Sequence, residues 1–146
     1  MPQATFYTHV ADPAAFVCRL AARATQGRTP VLLWVESAEA VSQFDTALWQ
    51  FEAESFLAHE IWLSNESFPQ HVPLVLAGGN EVPTVPEQTV VLNYSPDFWC
   101  DAAVLPTRVL EIVGNDLEEL AEARERFKAY RQKGFQIEHH NMQGKA

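Results

Sequence analysis

The run Pro30-Val-Leu-Leu-Trp-Val35 constrains the fold more than any other segment of the chain. It has no polar alternation, so it does not suit a strand with one wet face. It is also far shorter than the roughly 20 residues that span a bilayer. A short continuous apolar run of this kind reads as a strand buried on both faces of a sheet. Such a sheet needs helices on both sides, and the flanking segments supply helical patterns. Asp12-Pro13 offers a cap followed by proline at the first helical position, where a missing N–H costs nothing. That helix carries Phe16, Val17, Leu20 and Ala21 on one face to about Gln26, with Gly27 as its stop. Ser37 caps a second helix in which Val41, Phe44, Ala47 and Leu48 recur at helical spacing.

The same alternation extends to both ends. Residues 4–10 are rich in aromatic and β-branched side chains and read as a first strand. Between Phe51 and Val90 the pattern loosens around Pro69, Pro73, Pro83, Pro86 and the pair Gly78-Gly79, which reads as a turn. Within it, 57–63, 72–76 and 89–92 are strand candidates, partly at sheet edges because of the prolines. Residues 108–113 form a clearer strand, and Asn115 with Glu118 resembles a capping box opening a long helix that ends near Gly134. The fold class is α/β: a three-layer α/β/α arrangement on a mostly parallel, mixed sheet, Rossmann-like but without a phosphate-binding loop. With 146 residues and no repeat or linker, a single domain over 1–138 is expected, followed by a polar tail, 139–146, that frays.

Sites for familiar chemistry are missing. The chain has no GxxxxGK[ST], and the first strand leads into Val10-Ala-Asp-Pro13 instead of GxGxxG, with Asp12 placed to repel a phosphate. The histidines at 9, 59, 71, 139 and 140 show no metal-ligand spacing, and His139-His140 read as part of the solvated tail. Ser64 and Ser67 lie outside any GxSxG elbow. Cys18 and Cys100 stand 82 positions apart and read as reduced thiols, Cys18 in the core. Met1-Pro-Gln-Ala-Thr-Phe-Tyr7 lacks the regions of a signal peptide, so a cytoplasmic location is expected. No catalytic residue, metal or cofactor is expected.

Charge is unevenly placed. Arg124, Arg126, Lys128, Arg131 and Lys133 stand against the single acid Glu125, net +4 over ten residues. The rest holds five basic and eighteen acidic residues, net −13, which argues against wrapping a long polyanion. On a helix, Arg124, Phe127, Lys128 and Arg131 share a stripe that continues back to Leu120 and Leu117, both expected to face the core. Cations over an apolar seam suit a ligand with both a carboxylate and a hydrophobic group. A second notable block, Asp45-Thr-Ala-Leu-Trp49 through Phe51 to Ala53-Glu-Ser-Phe56-Leu-Ala-His59, concentrates aromatics near a helix end, as protein interfaces do.

Ala4-Thr-Phe-Tyr7, the block from Asp45 to His59, and Arg124-Glu-Arg-Phe-Lys-Ala-Tyr-Arg131 with Gly134-Phe135 occur in an order that resembles the chi subunit of bacterial DNA polymerase III. The resemblance covers essentially the whole chain. It implies a non-catalytic subunit of a DNA-directed DNA polymerase that links the clamp loader to single-stranded DNA-binding protein by capturing that protein's acidic C-terminal tail, which ends in Pro-Phe. Arg124 and Lys128, with Arg131 on the same stripe, would engage the tail's carboxylates. Phe127, Val113 and the backbone at Gly134 would form the pocket for its terminal Phe. Position 127 is tyrosine in the enterobacterial pattern, so a hydroxyl contact is lost here and the apolar wall kept. Phe56, with Trp49, matches the surface that meets the psi subunit, and through it the clamp loader, or in some bacteria a helicase. The segment Phe56-Leu-Ala-His59 lacks the proline that some relatives place before the histidine. The implied setting is the cytoplasmic replisome, with DNA contacted only indirectly and no membrane. A nucleotide-dependent Rossmann-like enzyme and a direct DNA-binding module are the alternative readings.

Overall fold

The computed structural model describes residues 2–51, 57–63 and 66–144. Among these, seven strands form one sheet: β1 (Gln3–Thr8), β2 (Val31–Val35), β3 (His59–Ile61), β4 (Leu74–Gly78), β5 (Val90–Tyr94), β6 (Arg108–Ile112) and β7 (Gln136–Asn141). Their order is β3-β4-β2-β5-β6-β1-β7, and every pairing is parallel, with no antiparallel strand among the described residues. The helices are α1 (Pro13–Ala24), α2 (Ala38–Gln50) and α3 (Leu117–Gln132), and a single 3-10 turn covers Trp99–Asp101.

β2 lies at the heart of the sheet and is buried along its whole length, as its composition requires. Val31, Leu33 and Val35 face α1 and α2, packing with Phe16, Val17, Phe44 and Leu48. Leu32 and Trp34 face the opposite side, packing with Trp99 and the α3 layer around Ala123 and Tyr130. The alternation of side chains along each strand thus splits the core into two apolar layers, one per face. The caps are as the sequence suggests: Asp12 accepts from the Ala15 N–H and Ser37 from the Ala40 N–H. Gly78 ends β4 where a Cβ would lie 2.8 Å from the Ser37 carbonyl oxygen and 2.9 Å from that of Val35. The first of the two glycines therefore permits close backbone approach as well as a turn.

Three sequence expectations need correction. The polar tail does not fray from 139: β7 continues to Asn141, and the Met142 N–H donates to the Thr8 carbonyl. An edge strand with most of its side chains in water carries a polar pattern that resembles a tail. The cap of α3 is Asp116, one residue later than Asn115; its Oδ1 accepts from the Glu118 N–H at 2.7 Å. Glu119 completes the start by accepting from the Gly114 N–H at 2.7 Å. Leu117 does not face the core but is 84% exposed, because the first turn of α3 precedes contact with the sheet, which begins at Leu120.

Candidate functional site

α3 crosses the sheet beside β1 and β7, and the space between them is a groove with a cavity of about 490 Å³. Its apolar lining is Phe6 from β1 with Leu120, Ala123 and Phe127 from α3. The Phe127 ring sits 5.5 Å from that of Phe6, centroid to centroid, so the half-buried phenylalanine is held by a core aromatic. Arg124, Lys128 and Arg131 follow Phe127 around the helix and line the same groove. The helical spacing thus brings four of the sequence-selected residues together. Lys128 also approaches Glu125 at 3.6 Å, an exposed pair of little energetic weight. A smaller depression lined by Phe127, Arg131, Phe135 and Ile137 continues toward the free edge of β7.

Arg126, counted by sequence within the basic cluster, points the other way. It is only 3% exposed, and its Nε donates to Glu111 Oε1 at 2.9 Å under α3. Tyr130 donates its hydroxyl to Glu111 Oε2 at 2.6 Å, and Asn93 Nδ2 reaches both carboxylate oxygens, at 3.0 and 2.9 Å. Burial lifts the Glu111 carboxyl above the ordinary glutamate range, against the pull of the Arg126 guanidinium and the Tyr130 and Asn93 donors. Burial, with the neighbouring Glu111, also drives the Tyr130 phenol well up. This network fixes the rotation of α3, and so which face of the helix its other cations present.

Val113 and Gly134 do not line this groove. Val113 is buried at the end of β6, its N–H donating to the Tyr7 carbonyl and its own carbonyl accepting from Val10. It borders a separate cleft with Glu36, Glu118, Glu119 and Glu122. Gly134 takes a left-handed φ of 84° after α3. Its N–H donates to the Arg131 carbonyl while the Phe135 N–H donates to that of Tyr130, a Schellman ending that turns the chain into β7. Gly134 therefore acts through geometry, by setting the wall opposite the helix.

Sequence reasoning missed that wall. Thr8 at the end of β1, His9 just after it and His139 on β7 line the groove, and His139 Nε2 lies 2.7 Å from Thr8 Oγ1. Nothing local in the sequence signals this, since it depends on the parallel pairing of β1 with a strand about 130 residues away.

The aromatic block lies elsewhere, at the β3 edge of the sheet. Trp49, at the last turn of α2, is 52% exposed and packs on His59 with centroids 4.6 Å apart. The His59 ring spans Asp45 Oδ1 at 3.0 Å and the Leu57 carbonyl at 2.8 Å. Phe56 lies outside the described residues. At the start of α1, where a nucleotide phosphate would sit in a Rossmann-like fold, the Asp12 carboxylate takes the Ala15 N–H. Among the described residues no three His, Cys, Asp or Glu side chains converge as metal ligands, and no helix is long and apolar enough to cross a membrane.

Fold and site together define a parallel α/β domain with a cation-rimmed apolar groove and an acid where a phosphate loop would stand. Residues 1–138 match the family described as DNA polymerase III chi subunit, HolC, and the chain belongs to that family. It is 30% identical over 147 aligned positions to DNA polymerase III subunit chi of Escherichia coli K12, covering 94% of this chain and 96% of that protein. It is 27% identical over 136 positions to the subunit of the same name from Pseudomonas aeruginosa, covering 90% of each chain. The resemblance drawn from the sequence is borne out at the level of the family.

Proposed function

We propose that this chain is an accessory, non-catalytic subunit of the DNA polymerase III holoenzyme and that its α3 groove captures the acidic C-terminal tail of single-stranded DNA-binding protein. One observation carries the reading: Arg124, Lys128 and Arg131 surround an apolar floor built on Phe127 and Phe6, and among the described residues no carboxylate lines the groove. A tail ending in Pro-Phe offers the complementary chemistry, an aromatic ring for the floor and carboxylates for the rim. Val113 lies behind the groove's lining, in the same apolar layer as Phe6 and Ala123, and Gly134 shapes the turn into β7. The surface around Trp49, with Phe56, meets the psi subunit and through it the clamp loader, or a helicase in its place. Its exposed tryptophan is the kind of anchor such contacts use.

Titration calorimetry with full-length single-stranded DNA-binding protein, and with the same protein lacking its tail, tests this reading. Binding at micromolar affinity that disappears with the tail supports it, and equal binding by both forms overturns it. Trp49→Ala is expected to leave tail binding unchanged, because the two surfaces lie on opposite edges of the sheet.

A further inference from the structure

The helix rim leaves the strand side of the groove unexplained, and there two imidazoles line it. His9 follows β1 with a left-handed φ of 57°, the only positive φ outside glycine among the described residues. Histidine, asparagine and aspartate adopt that conformation more readily than other L-residues. His139 stands on β7 beside Thr8, whose hydroxyl can donate to a neutral Nε2 or accept from a protonated one. Gaining a proton therefore costs His139 no hydrogen bond.

We infer that His9 and His139 are a second, titratable rim of the groove, so that capture of an anionic ligand tightens as pH falls from 8 to 6. The inference rests on the tail-capture reading and adds its regulation. The charged groups lining the groove with these rings are Arg124, Lys128 and Arg131 of α3, all cations. The Glu125 carboxylate stays on the helix surface with Lys128. On β7 itself, Glu138 and His140 belong to the opposite face, where they pair at 3.6 Å and His140 stacks on Tyr7 of β1. Carboxylates of a bound ligand attract added positive charge on the strand side of the groove. Ligand and proton uptake are thus linked, each raising affinity for the other. Histidine is the side chain suited to this between pH 8 and 6, where the ligand's carboxylates remain ionised.

The test is fluorescence anisotropy with a labelled acidic peptide ending in Pro-Phe, at constant ionic strength, at pH 8 and pH 6. The wild-type chain is expected to bind about three- to tenfold tighter at pH 6. His9→Asn keeps a residue tolerant of the left-handed backbone, and His139→Gln keeps an amide for Thr8. Each should reduce the ratio of affinities between pH 6 and pH 8, and the double variant should bring that ratio close to one. A gain undiminished in the folded double variant overturns the inference and leaves tail capture standing. No binding at either pH overturns the tail-capture reading and this inference with it.

Discussion

Arg126 and Glu111 meet at 2.9 Å beneath α3, and their pairing decides which cations of that helix reach the groove. Successive basic residues at 124, 126, 128 and 131 cannot share one face of a helix. The one that turns inward is neutralised by a strand carboxylate, and the others are left at the groove.

Arg126→Met should therefore act on stability more than on surface charge. It strands the buried Glu111 carboxylate with only Tyr130 and Asn93, a loss of about 3–5 kcal/mol expected for breaking one side of a buried pair. Urea unfolding measures it, and Arg126→Met with Glu111→Leu should recover much of the loss. A cost below about 1 kcal/mol would show that the pair does not hold α3.

Phe127→Ala and Lys128→Ala each should cost about 1–3 kcal/mol of tail-peptide binding with the fold intact. Both side chains are at least partly exposed, so far-ultraviolet circular dichroism should not change. Binding should also weaken as salt rises, since the rim charges are solvated and screened.

Gly134→Ala forces a Cβ into a left-handed position at the end of α3, where space is open but the backbone is not. The expected cost is roughly 1–2 kcal/mol, seen as a lowered melting temperature. Because this turn places β7, peptide affinity should fall as well, though Gly134 lines no part of the groove. Unchanged stability and affinity would show that the turn relaxes without moving the wall.

Cys18 and Cys100 are buried, and burial pushes both thiols above their ordinary value of 9.0. Native protein at pH 8 should react with a thiol reagent only as fast as it opens, and denaturant should release both groups. Tyr130 is shifted upward too. The unfolded chain ionises the thiols as pH climbs past about 9 and the phenol past about 10, which lowers the stability of the native state there. Their contribution is full below that pH. Thermal melts from pH 7 to 10.5 should show a decline beginning near 9.

Several features were legible because they are local. The apolar run of β2 required cover on both faces, Asp12 and Ser37 announced their helices, and the stripe from Arg124 to Arg131 follows from helical spacing alone. What the sequence hid depends on partners distant along the chain. Whether Arg126 joins the rim is decided by Glu111 on β6. Leu117 looked like core because periodicity does not say where a helix meets its sheet. β7 looked like a tail, and with it went His139. The left-handed turn at His9 has no sequence signature of its own. Val113, tied to the pocket by resemblance, shares the apolar layer of Phe6 and Ala123 but borders a different cleft.

The most direct test of the central claim is to titrate isotopically labelled protein with the acidic Pro-Phe peptide and map the amide shifts. Tail capture in the α3 groove predicts saturable shifts centred on Phe127, Lys128, Arg131 and His139, lost when the peptide's terminal Phe is removed. Shifts centred on Trp49 or on the Val113 cleft, or none at all in well-folded protein, would contradict it.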